Sequence, residues 1–272
     1  MVLPIGVNIN KEEFMSHYTN LQVDIASSIA LVTISRESKL NALNKTTLEE
    51  ISLLFKVLAE DSLVKGIILT GAGQKAFIAG ADIAEFTALD ANSGRELSAW
   101  GHAEVMDLLY NFPKPIVAAI NGFALGGGLE VALACHFRIA SSQARLGLPE
   151  VSLGLIPGYG GTQRLPALVG RGRALELILS GNMIDAEKAL SWGLVNQVVP
   201  QEELLAQAEA FLQQIFQRSP LAVAAAIKAV NAGLDPQQDG FAIEIDSFGK
   251  AFETPDFQEG VHAFLEKRKP NF

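Results

Sequence analysis

Hydrophobic period divides the chain into a first half that alternates strands with helices and a second half that is almost wholly helical. Val23 to Arg36 reads as a hairpin, with strands Val23-Asp24-Ile25 and Ile29 to Ile34 and a turn at Ser27-Ser28. Thr46 and Glu49 have capping-box spacing, and Ile51, Leu54, Phe55 and Leu58 follow at helical period. Gly66 to Thr70 is a short apolar strand ending at Gly71-Ala72-Gly73. Leu97, Trp100, Leu108 and Phe112 mark a helix stopped by Pro113 and Pro115. Ile116 to Ile120 reads as a strand, Leu129 to Cys135 as a helix and Phe137 to Ala140 as a strand.

Beyond Gly160 the expected helices are Thr162–Val169, Arg173–Leu179, Asp185–Trp192, Glu202–Gln217, Leu221–Ala232, Phe241–Phe252 and Phe257–Lys267, with Leu194 to Val199 as a strand. Strands first and helices afterwards predict a layered α/β core with a helical C-terminal section. Three strand-turn-helix passages, 23–60, 66–112 and 116–140, suggest a repeat of similar units.

Length and charge narrow the choice of function. A chain of 272 residues that is 49% hydrophobic can bury a large core. Its net charge of −9 repels a nucleic-acid polyanion, and no Lys/Arg stripe offsets it. The single cysteine, Cys135, excludes an internal disulfide and fits a reducing, cytoplasmic setting. Met1 to Asn20 shows no charged region followed by an apolar run, so no secretory leader is expected. The apolar stretch Pro115 to Phe137 contains Asn121, Glu130, His136 and a Gly-Gly-Gly run, which do not suit a lipid-facing helix.

Several motifs fail on inspection. Gly71-Ala72-Gly73-Gln74-Lys75-Ala76 has the G-x-G-x-x-A form, but Phe77-Ile78-Ala79-Gly80 follows instead of the helix a dinucleotide site needs. His17, His102, His136 and His262 are scattered without an i, i+4 pair, so no metal site is expected. His136 reads as a satisfied packing histidine and Cys135 as a small buried apolar residue.

Chemistry concentrates in Gly126-Gly127-Gly128-Leu129-Glu130 and the apolar residues that follow. Glycines before a helix let the backbone approach a ligand, and the first helical amides have no internal partner. The dipole makes that end electropositive, which favours an oxyanion. Glu130 has no polar face to join, and a buried lone carboxylate has a perturbed pKa and often a chemical task. Glu150, in Leu148-Pro149-Glu150-Val151, is a second isolated carboxylate, read equally well as a cap. Ile156 to Leu165 is a glycine loop entering a helix, suited to an anion or simply to a turn. In Ala79-Gly80-Ala81-Asp82, Ala81 can offer a backbone amide, and Asp82 reads as a cap. Two carboxylates and two amide turns fit acid–base chemistry beside a developing oxyanion, as in a thioester turning enolate-like.

Together these segments resemble the enoyl-CoA hydratase/isomerase (crotonase) superfamily. The resemblance runs from about Leu21 to Phe272. It is carried by Lys39 to Leu43, Ala76 to Ile83, Asn121 to Glu130, Pro149 to Leu165 and Phe264 to Lys269. It implies an α/β spiral of ββα units over residues 1–200 and a helical trimerisation region over 201–272, assembled as a homotrimer or hexamer. It also implies oxyanion-hole amides from Ala81 and Gly127, and syn addition of water to a trans-2-enoyl-CoA. Glu130 would deprotonate the water attacking C3, and Glu150 would protonate C2. Coenzyme A enters as part of the substrate, with no separate cofactor. Its contacts would be Lys39, Ala79, Gly80, Ala81, Asp82 and Ile83, with Phe248 and Lys267 reaching a neighbouring subunit's site; Lys267 fits a solvated helix end equally well. Arg36-Glu37 departs from the family's usual Arg-Pro, in a loop expected to touch no chemistry. His136 stands where an acid is common. Gly158 stands where dienoyl-CoA isomerases carry aspartate, which disfavours that activity. The alternatives are another crotonase-type lyase, isomerase or hydrolase, or a non-catalytic acyl-CoA-binding relative.

Overall fold

The computed structural model describes residues 18–272, so the expectation of no leader concerns residues almost entirely outside this range. The described chain begins with the expected hairpin, β1 (Leu21–Ala26) and β2 (Ile29–Ile34), antiparallel with Ala26 opposite Ile29. Ser27 and Ser28 turn it with φ of 51° and 64°, the paired left-handed geometry that tight hairpins need. Helix α1 (Lys45–Glu60) follows, and its cap differs from the predicted Thr46/Glu49 box. Asn44 is the N-cap, accepting from Thr47 N–H at 2.9 Å, because a side-chain oxygen at that position reaches the third helical amide.

A repeated ββα passage then builds two sheets. β3 (Gly66–Gly71), β5 (Ile116–Ile120) and β7 (Phe137–Ser141) join the large sheet, in parallel order β2-β3-β5-β7 with β10 (Gln197–Val199) at the far edge. Each of the three is followed by a three-residue strand in a second sheet: β4 (Ala76–Ile78), β6 (Phe123–Leu125) and β8 (Arg145–Gly147). β9 (Met183–Asp185) pairs antiparallel with β8. The short strands correct the strand-turn-helix pattern read from the sequence, since three residues show no recognisable alternation.

β3 and β5 are buried throughout, as parallel strands covered on both faces must be. One face, with Ala30, Ile67, Leu69, Ile116, Ala118 and Ile120, meets α1 and the second sheet in the main core. The other face presents Ile29, Ile68, Val117, Ala119 and Ile139 to Leu204, Ala208 and Leu212 of α8 (Leu204–Ile215, numbered with the helices that follow α1). Asn121 locks one strand end to the next: its Nδ2 donates to the Gly71 and Gly73 carbonyls at 2.9 and 2.8 Å.

The remaining helices are α2 (Ala91–Gly101), α3 (Asp107–Tyr110), α4 (Gly127–Ala134), α5 (Gly161–Val169), α6 (Arg171–Ser180) and α7 (Ala186–Ser191). A π-helical turn, His102–Met106, joins α2 to α3. After α8 come α9 (Pro220–Leu234), α10 (Gly240–Ala251) and α11 (Pro255–Leu265). These last helices leave large apolar side chains in solvent, Phe241 at 80% and Phe264 at 82% exposure among them. No helix among the described residues is long and apolar enough to cross a membrane.

Candidate active site

Two glycine turns from different repeats meet at one point. Leu43 N–H donates to Gly80 C=O at 2.8 Å and Asp82 N–H to Leu43 C=O at 2.7 Å. Successive amides of an extended segment point in opposite directions, so Ala81 N–H faces away from Leu43. Ala81 N lies 3.9 Å from where a Cβ on Gly127 would sit, which puts it beside the N-terminus of α4. Gly126 makes this approach with φ +50 and ψ −126, backbone geometry that only glycine adopts freely. Gly128 is packed so tightly that a Cβ would overlap the Ile78 carbonyl. The amides expected of Ala81 and Gly127 therefore lie at one junction.

Glu130, one turn into α4, is 1% exposed. Its Oε1 accepts from Tyr159 N–H and Gly161 N–H, each at 2.8 Å. Gly161 opens α5, so the amides and the dipole of that helix both favour the charged carboxylate. Burial works the other way and wins: it raises the Glu130 pKa from 4.5 to about 7, with a smaller push from the like charge of Glu150. The glycine loop read as an anion site thus holds an internal anion, the carboxylate of Glu130.

Glu150 begins the 3-10 turn Glu150–Leu153 after β8. Its Oε1 lies 2.9 Å from where a Cβ on Gly126 would sit, and that same point is 3.9 Å from Gly80 Cα. Both glycine turns therefore adjoin this carboxyl group. Burial raises its pKa, and its buried Oε2 has no hydrogen-bond partner among the described residues. The two carboxylates expected from the sequence do converge beside the two amide turns. Sequence separation hid this meeting, which the ββα repeat brings about.

Around this centre, Ala79 N–H donates to Leu40 C=O at 3.1 Å, and Gly80 has φ +115. Ile83 is exposed at the start of the turn Ile83–Ala88. Asp82 closes no full side-chain cap, and the Ala84 N–H only helps to hold its charge. Its carboxylate instead pairs with Arg36 at 3.1 Å. That guanidinium holds Asp82 below the usual carboxylate range, with Lys39 contributing. Arg36 also donates to Ala42 C=O, so it ties the 39–43 segment to the 79–82 turn and is not a bystander. Lys39 itself is exposed at the end of a 3-10 turn.

Phe248 and Lys267 are not brought to this centre within the chain. Phe248 on α10 stacks edge-on with Phe252, which caps that helix, and Lys267 N–H donates to Phe264 C=O. Cys135 is buried as expected. His136 accepts from Ile116 N–H at 3.0 Å through Nδ1, and the Tyr110 backbone is its second hydrogen-bonding neighbour, as expected of a packing histidine. Burial pushes its pKa down to about 4, leaving it neutral. An apolar hollow of about 520 Å³, lined in part by His136, Leu168 and Val230, separates α9 from the core, and neither glutamate lines it. No cluster of three or more metal-ligating side chains occurs among the described residues.

A spiral of ββα units with paired carboxylates beside glycine turns is the crotonase fold. The enoyl-CoA hydratase/isomerase family model matches residues 24–272, and the chain belongs to that family. It is 46% identical over 256 residues to the crotonyl-CoA hydratase of Syntrophomonas wolfei, covering 94% of this chain and 98% of that protein. Against the short-chain-enoyl-CoA hydratase of Clostridium acetobutylicum it is 45% identical over 251 residues, with 92% and 96% covered. The crystal structure of enoyl-CoA hydratase from Bacillus anthracis matches with a TM-score of 0.87 at 41% identity, covering 93% of this chain and 98% of that one.

Proposed function

We propose that the chain is an enoyl-CoA hydratase that adds water to a trans-2-enoyl-CoA, giving a 3-hydroxyacyl-CoA, in acyl-CoA breakdown. The observation that carries this reading is the meeting of Glu130 and Glu150 at the turns bearing Ala81 and Gly127. The names of its relatives agree.

In this reading the thioester oxygen accepts from Ala81 N–H and Gly127 N–H, so the charge developing there is met by fixed donors. Glu130, ionised, takes a proton from water as the water oxygen bonds to C3. The electron pair of the double bond moves to an enolate, and Glu150, protonated, delivers its proton to C2. With its pKa near 7, Glu130 is available as a base at neutral pH, and burial raises the pKa of Glu150 above the usual carboxylate range. Exchange with solvent then restores both groups. The steps use only these side chains and water, with no cofactor.

Coenzyme A would lie along Ala79–Ile83 with Lys39 beside it. Phe248 and Lys267 would serve a neighbouring copy. The apolar side chains left exposed on α9–α11 are the surface we assign to trimer contacts.

The assay is the loss of conjugated enoyl-thioester absorbance when the protein meets crotonyl-CoA. Glu130→Gln and Glu150→Gln should each cost roughly 10²–10⁴-fold or more in turnover. Near-full turnover in both variants would overturn the assigned roles.

A further inference from the structure

The side chain that leaves the Glu130-binding loop carries information about which substrates fit. Tyr159 is fixed at its backbone, because its N–H is bound to Glu130 Oε1. From there its ring crosses the gap between α4 and α2. One edge, Cδ2, is 3.7 Å from the Cβ position of Gly127. The opposite edge fills a notch on α2 at Gly101, where any side chain would overlap Cε1. The residue is 6% exposed. Beside it Ser98 Oγ donates to Gly158 C=O at 2.6 Å, so α2 is pinned to the same loop at a second point. Leu43 Cδ1 is 3.4 Å from the same Cβ position.

We propose that Tyr159 is the end wall of the acyl slot and restricts the enzyme to short enoyl chains of about crotonyl size. This rests on the hydratase reading above. An acyl chain whose carbonyl is held at Gly127, and whose C2 and C3 lie between the two glutamates, meets the ring or Leu43 within its next carbons. The ring cannot swing aside into α2, because the Gly101 notch already holds it and Ser98 keeps the helix close. The wall is therefore rigid in the direction in which the chain grows.

The test compares kcat/KM for crotonyl-, hexenoyl- and octenoyl-CoA in the wild type, Tyr159→Phe and Tyr159→Ala. The wild type should fall steeply with length. Tyr159→Phe should keep the same profile, since the ring and not the hydroxyl forms the wall. Tyr159→Ala should raise the octenoyl-to-crotonyl ratio by roughly 10-fold or more, as one methylene accommodated or refused in an apolar pocket is worth about that much. Tyr159→Leu, which keeps the packing against α2 while shortening the wall, gives an intermediate ratio and serves if the alanine variant fails to fold. A purely structural tyrosine would lower all three substrates in parallel. A ratio unchanged in the alanine and leucine variants, or a profile altered by Tyr159→Phe, overturns the proposal. Absence of any hydration by the wild type instead overturns the hydratase reading, so the two failures are distinct.

Discussion

Replacing Glu130 with glutamine should cost most of the turnover and at the same time stabilise the protein, increasingly so as pH rises. The substitution is nearly isosteric, and an amide oxygen can still accept from Tyr159 and Gly161, which bond only Oε1. It removes the cost of holding a charge where the side chain is 1% exposed. Burial raises the Glu130 pKa from 4.5 to about 7, so the native state binds this proton more tightly than the unfolded chain does. The stability associated with the group is therefore fully present below about 4.5 and is lost as pH rises through about 7. Linkage makes that loss about 1 kcal/mol at pH 5 and about 3 kcal/mol at pH 8.5. Glutamine cannot ionise and escapes it. Urea unfolding of both proteins at the two pH values, at one protein concentration, reads the difference directly. The gain of the glutamine variant should be about 2 kcal/mol larger at pH 8.5 than at pH 5. An equal gain at both values, or a variant destabilised at pH 8.5, would show that Glu130 is not a strained buried carboxylate and would remove the basis for its role as a base.

Two neighbouring glycines should separate function from folding. A Cβ on Gly127 meets Leu43 and Tyr159 at ordinary contact distances, so Gly127→Ala should keep its Tm while losing about 10²-fold or more in kcat by crowding the amide donors. Gly128→Ala, whose Cβ would overlap Ile78 C=O, should lower the Tm or fail to fold, as thermal scans will show. The pH profile of kcat/KM should rise through about 7 as Glu130 ionises, and the residual activity of Glu130→Gln should lose that rise. Asn121→Ala strips the Gly71 and Gly73 carbonyls of their donor and should cost about 3 kcal/mol in urea unfolding, with KM for crotonyl-CoA unchanged in the folded protein.

What the sequence revealed depended on whether a feature was local. Helix α1 was legible because Ile51, Leu54, Phe55 and Leu58 repeat over a full face, and all four are buried. Its cap was misplaced because the Thr46 and Glu49 spacing suits a box, while the oxygen that reaches the helix amides belongs to Asn44. The strands β4, β6 and β8 leave no signature in the sequence because three residues hold too little alternation, although they are what turn each repeat back toward the centre. Glu130 stood out as a carboxylate without a polar face. The groups that set its chemistry did not, since the Tyr159 and Gly161 amides lie 29 and 31 residues further along.

Arg164 shows how far that dependence extends. Its guanidinium donates to Tyr159 C=O at 3.1 Å and pairs with Asp107 at 2.7 Å, so a residue on α5 and another on α3 hold the loop whose amides bind Glu130. Its positive charge also lowers the Glu130 pKa, yet it ranks behind burial, the two backbone hydrogen bonds and the repulsion from Glu150. Burial prevails because the amides neutralise only one carboxylate oxygen while the whole group has lost its water. A carboxylate better satisfied than this one would stay charged and too weakly basic to accept a proton from water, and one less satisfied would stay protonated. The value near neutrality thus follows from an incomplete set of donors, and that incompleteness is a property of how three elements pack rather than of any motif along the chain.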